Sequence, residues 1–135
     1  MSESAIFSAA RAAVTSELRS AKDWSDNPAD PKVNRRPAFL VTLTREGAEP
    51  AAMGSPLEEV DLLLTVEVFA AYDHAEAGRN LVRDMADAAS ATLKASSDLR
   101  ALTDRMVTTG LEVDLAGGEN RIARATLEIT LEATL

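Results

Sequence analysis

The segment from residue 122 to residue 134 alternates almost without exception. Ala123, Ala125, Leu127, Ile129, Leu131 and Ala133 are apolar, and Arg124, Thr126, Glu128, Thr130 and Glu132 between them are polar or charged. A period of two marks a strand with one buried face and one wet face. It excludes an all-helical fold and requires apolar cover on one side of the sheet. The preceding residues supply a partner. Val107, Thr109, Leu111, Val113 and Leu115 alternate with Met106, Thr108, Gly110, Glu112 and Asp114. Ala116-Gly117-Gly118-Glu119-Asn120 forms the turn between the two strands, where glycine permits a positive φ.

A second hairpin lies upstream. Pro37 opens a strand over residues 38–44, with Phe39, Val41 and Leu43 on one side and Leu40, Thr42 and Thr44 on the other. Residues 45–56 read as a long hairpin loop, carrying Met53 among small residues; loops of this size inside a small domain are often functional. The returning strand, residues 59–70, sets Val60, Leu62, Leu64, Val66 and Val68 against Asp61, Leu63, Thr65, Glu67 and Phe69. With Leu63 and Phe69 in it, the second set is too apolar for a free surface. It meets either a second layer of this chain or another molecule.

Helical periodicity precedes each hairpin. Over residues 4–22, Phe7, Ala10, Val14, Leu18 and Ala21 recur at steps of three and four. Over residues 73–95 the stripe is Leu81, Val82, Met85, Ala88, Ala89 and Leu93, and Asp73 with Glu76 has the form of a capping box. At ~1.5 Å per residue that helix is roughly 33 Å long, enough to cross four strands. Ser96-Ser97-Asp98 breaks it, and residues 99–104 make one more turn. The turn formers of 23–31 predict a loop reaching residue 36, with Trp24, the only tryptophan, inside it. Trp24 either folds back onto the core or is covered by a partner. The expected fold is α+β in the order α-β-β-α-β-β: a mainly antiparallel four-stranded sheet with helices packed on one face.

A chain of 135 residues has the usual size of one domain, here 1–135. No apolar run approaches the ~20 residues needed to span a bilayer, and Met1-Ser2-Glu3-Ser4 lacks the start of a secretory signal. Absence of cysteine excludes disulfides and thiolate metal sites. Residues 57–135 hold seven basic and fifteen acidic residues, which account for the whole net charge of −8; the first 56 are balanced. An acidic half repels phosphate and is not the footprint of a nucleic-acid binder. The one basic cluster is Lys32, Arg35 and Arg36, with Arg45 beyond; it reads first as an ordinary solvated flank and otherwise as a contact for an acidic protein neighbour.

No catalytic, cofactor-binding or metal-ligating residues are expected. His74 is the only histidine, and Asp73 and Glu76 beside it are explained by capping. Glu112, Asp114, Glu128 and Glu132 fall on the wet face of the last hairpin, where carboxylates need no further role. The glycines at 117 and 118 are followed by neither a helix start nor a lysine, so they do not form a phosphate cradle. The candidate protein–protein residues are Trp24, Lys32, Arg35, Arg36, Met53, Leu63 and Phe69.

Three stretches, Arg36-Pro37-Ala38-Phe39-Leu40-Val41, Val66-Glu67-Val68-Phe69-Ala70 and Thr126-Leu127-Glu128-Ile129-Thr130-Leu131-Glu132, together with the element order, give the chain a family resemblance. It resembles the tail terminator proteins of long-tailed phages and gene transfer agents across nearly its whole length. The resemblance implies a structural protein without enzymatic activity or cofactor. Such a protein forms a ring, typically a hexamer, that caps the tail tube, stops its polymerisation and offers a surface for head joining. The implied partners are further copies of the chain, the tail tube protein and a head–tail connector or neck protein. DNA is only passing cargo, and no membrane is involved. The implied location is the host cytoplasm during assembly and then the particle's tail. A connector or tail-completion protein of the same particle, and a small α+β ligand-binding domain or enzyme, share the same pattern.

Overall fold

Four long strands pair antiparallel and a fifth, very short one runs parallel at their edge. In the computed structural model, which describes residues 2–26, 37–116 and 121–135, the elements are α1 (Glu3–Glu17), β1 (Lys22–Asp23), β2 (Ala38–Pro50), β3 (Glu58–Ala71), α2 (Ala75–Ala95), α3 (Ser97–Leu102), β4 (Arg105–Ala116) and β5 (Ile122–Thr134). The strand order is β1-β2-β3-β5-β4. The fold is thus α+β with a five-stranded mixed sheet and three helices. The expected mainly antiparallel four-stranded sheet is present in the four long strands, and its strand count is corrected by the short parallel strand at its edge. The extra strand pairs through two residues only, Lys22 with Ala38 and Asp23 with Phe39, and two charged or polar residues carry no periodicity to read.

One face of the sheet holds the core. On β3, Val60, Leu62, Leu64, Val66, Val68 and Ala70 are all buried, and β5 matches them with Ala123, Ala125, Leu127, Ile129, Leu131 and Ala133. The two strands are in direct register, Leu64 against Ile129 and Val66 against Leu127. Burying each Val, Leu or Ile is worth roughly 1.5–3 kcal/mol, so the central pair of strands holds much of the fold's stability. Helix α2 lies across β3, β5 and β4, and α1 packs against α2, α3 and β2. The face that α2 buries is Gly78, Val82, Ala86, Ala89 and Leu93. Leu81, expected on that stripe, is exposed, and Met85 is half-buried at its margin.

The local signals hold with adjustments. Helix α1 ends at Glu17, capped at its start by Ser2 Oγ, which accepts from the Ala5 N–H at 3.2 Å. Leu18 and Ala21 are buried as the periodicity requires, but they lie beyond the helix. The capping box at Asp73 and Glu76 does not form: the N-cap is His74, and no side chain caps the helix there. Strand β2 runs past Thr44 to Pro50, with an irregularity between Arg45 and Gly47, so the hairpin loop shrinks to residues 51–57.

Candidate functional site

All three helices pack on the core side, which leaves the other face of the sheet without a layer among the described residues. Register places its side chains in rows across the strands. One row is Ala38, Phe69, Arg124 and Asp114; the next is Leu40, Glu67, Thr126 and Glu112. Then come Thr42, Thr65 and Glu128, followed by Thr44, Leu63, Thr130 and Val107. The last of these rows is uncharged from one side of the sheet to the other. Beyond it the charges return as Asp61, Glu132 and Arg105.

Leu63 and Phe69 are both half-buried on this face, as the mixed alternation of their strand implied. Leu63 sits between Thr44 and Thr130, and Phe69 between Ala38 and Arg124. Val107, at the outer end of the neutral row, is exposed. Ala38 and Leu40 are buried on this side without belonging to the main core. The four carboxylates of the last hairpin fall here too. Arg124 Nη2 meets Asp114 Oδ2 at 2.9 Å. That hydrogen bond raises the Arg124 pKa; burial opposes it, and the carboxylates of Glu67, Asp114 and Glu112 reinforce it.

Trp24 folds back onto the sheet margin. Its N–H donates to the Phe39 carbonyl at 2.8 Å, extending the β1–β2 pairing by one residue. The Lys22 ammonium lies 4.4 Å from the centre of its ring, and the ring is half-buried with its Nε1 inaccessible and unpartnered. Arg11 ties α1 to β1 and to the residues that follow it, bonding Asp23 at 2.6 Å and Asp26 at 2.9 Å. Burial alone would raise the Asp23 pKa, but hydrogen bonds from Ser25 and Arg11 hold it below the usual value. The Arg11 hydrogen bond does the same for Asp26.

Met53 is fully exposed at the hairpin tip, with Leu57 half-exposed at the end of the loop and Gly54 at φ 78 making the turn. No charged residue falls within residues 51–57. Met53 lies in both the expected loop, 45–56, and the observed one, whereas Leu57 lies only in the observed one. Lys32, Arg35 and Arg36 lie outside the described residues. The structure therefore brings Leu63 and Phe69 onto one face with Trp24 at its margin, and sets Met53 apart at the tip.

His74 is exposed, and among the described residues no carboxylate hydrogen-bonds to it. Nor does any group of three or more His, Asp or Glu gather there in metal-binding geometry. Among the described residues no helix is long and apolar enough to cross a membrane. Sequence reading also missed a cleft of about 460 Å³ lined by Lys94, Arg100, Thr103, Asp104, Arg105 and Met106. Its cations come from three elements, so no linear spacing announces it. Comparison of the sequence with protein-family models and with curated proteins finds no match.

Proposed function

We propose that the protein is a structural tail terminator of a phage or phage-like particle, acting as a ring that caps the tail tube and receives the head. The observation that carries this reading is the sheet face that no helix covers among the described residues, crossed by the neutral row of Thr44, Leu63, Thr130 and Val107. A monomer has little reason to keep Leu63, Phe69 and Val107 on a face without a helix, whereas an assembly protein does. The sheet edges favour the same reading. Strand β4 has no outer neighbour among the described residues, and β1 with Trp24 and Ser25 covers β2 only as far as Val41. Exposed edges invite pairing with another chain. Edges on opposite sides of one sheet suit a heterologous contact, which closes into a ring when its rotation closes.

Stopping a polymer requires shape, not chemistry. The ring must match the last tube layer on one side and differ from it on the other. The apolar tip with Met53 and Leu57 is suited to the second task, because methionine adapts to irregular partner surfaces. The acidic rows would suit a passage that DNA crosses without sticking.

The test is native mass and negative-stain imaging of the purified chain, alone and on tail tubes. An annulus, free or templated, is expected. A protein that is strictly monomeric inside the assembled particle would overturn the ring. Shortening residues 51–57 should leave folding and self-association intact while abolishing head-joined tails of normal length; normal particles would remove the tip from the partner surface.

A further inference from the structure

Two clefts of opposite charge adjoin at the end of the sheet where β4 begins. The larger, of about 460 Å³, gathers Lys94 from the last turn of α2, Arg100 from the last turn of α3 and Arg105 at the start of β4. The smaller, of about 270 Å³, is lined by Glu59 and Asp61 of β3 and Glu132 of β5. Asp104 borders both, its Oδ2 accepting from Thr134 Oγ1 at 2.7 Å.

Three of the seven cations in the acidic part of the chain thus converge on one concavity. Helix C-termini favour Lys94 and Arg100 individually, but that effect explains neither Arg105 nor the convergence. Among the described residues Lys94 and Arg100 make no ion pair, and the partner of Arg105 is Glu132 at 3.9 Å, in the neighbouring cleft.

We infer that the paired clefts form a self-complementary contact between two copies of this chain. A two-fold axis near Asp104 sets the cations of each copy against Glu59 and Asp61 of the other. A second copy fits because it answers both clefts in one contact, whereas a free anion would neutralise the basic cleft and leave four carboxylates crowded beside it. In an isologous contact the same patch serves both subunits, which is what adjoining patches of opposite sign allow. The clefts lie at the end of the sheet and the free edges run along its sides. The contact therefore goes beyond the proposed ring and does not depend on it.

Analytical ultracentrifugation of the full chain tests this at about 50 and about 500 mM salt, where screening differs severalfold. A concentration-dependent doubling of mass is expected, weakened roughly tenfold or more by the salt. Lys94→Glu/Arg100→Glu and Glu59→Lys/Asp61→Lys each alter exposed positions only. Each should stay folded by circular dichroism and fail to pair, and an equimolar mixture of the two should pair again. If a reversed variant unfolds, Lys94→Gln/Arg100→Gln replaces it and should also fail to pair. Pairing by either variant alone, a mixture that stays unpaired, or a parent that never changes mass overturns the contact. An annulus that survives both reversals leaves the ring standing without the clefts, and restored pairing without any annulus does the reverse.

Discussion

Leu63 and Leu64 are chemically identical neighbours on β3, and they occupy different worlds. Leu64 faces Ile129 in the layer beneath α2 and is wholly buried. Leu63 faces Thr130 on the side that no helix covers and is half-buried. The same contrast runs along β5, where Leu127, Ile129 and Leu131 are sealed while Thr126, Glu128 and Glu132 look outward. One face of the sheet is spent on stability. The other is sealed only near Ala38 and Leu40, and along Leu63, Thr130 and Val107 it is looser and mixed in composition.

The sharpest way to break this comparison is to truncate both leucines. Leu64→Ala should cost about 2–5 kcal/mol by urea denaturation, because it removes a sealed side chain and leaves a cavity. Leu63→Ala should cost about 1 kcal/mol or less. Equal losses would mean that the second face is layered in solution, and the assembly reading would lose its main support.

Gly78 probes how closely the covered side is packed. A Cβ there would lie 2.7 Å from Tyr72 Cβ and 2.8 Å from Cγ. Tyr72 is itself fixed, its hydroxyl donating to the Ala116 carbonyl at 2.8 Å and its N–H to the Arg121 carbonyl at 3.0 Å. Gly78→Ala should therefore lose stability by overpacking, about 1–3 kcal/mol, despite the ~1 kcal/mol that alanine gains in helix propensity. In a Tyr72→Ala background the same change should become neutral or stabilising. A loss that persists there would place the strain elsewhere.

A smaller effect is expected at the joint of the covering layer. Ser96 Oγ accepts from the Leu99 N–H at 3.2 Å and starts α3, whose Leu99 is buried. Ser96→Ala should cost about 1 kcal/mol, with Ser96→Asp retaining most of the stability; equal losses for the two would argue against the cap.

The smallest effect concerns the pH response of the β1 margin. Asp23 and Asp26 are held below their ordinary value of 3.8. A depressed carboxylate contributes stability that is present above its unfolded value and lost as pH falls through the folded one. Arg11→Met should then be slightly destabilising near neutrality and indistinguishable from the parent well below pH 3.8. A difference that stays constant across that range would assign the effect to packing of the arginine stem.

Strands β3 and β5 were legible because one sealed face imposes period two on more than ten residues. The outer half of β2 was not, since Arg45-Glu46-Gly47-Ala48-Glu49-Pro50 has no such face and is held by backbone pairing to β3. Leu18 and Ala21 fitted a helical stripe although the helix stops at Glu17, because the chain turns yet stays on the core side. Asp73 carried the right side chain one position early, and capping geometry admits no such offset. The face holding Leu63 and Phe69 could be read from alternation within one strand. The cleft of Lys94, Arg100 and Arg105 could not, because it exists only where α3 carries the chain from the end of α2 to the start of β4.

Trp24 has an optical consequence. It is the only tryptophan of the chain, and it sits on the rail where β1 joins β2, beneath the Lys22 ammonium. Tryptophan emission from this protein, excited to the red of Tyr72 absorption, is therefore a local signal from one margin of the sheet and not an average over the fold. A neighbour that settles along that margin would displace the ammonium or bury the indole, and the emission would change colour or yield. Unfolding of the distant β4–β5 hairpin, by contrast, would be dark in this channel for as long as the margin held. The molecule thus carries its own lamp at one edge.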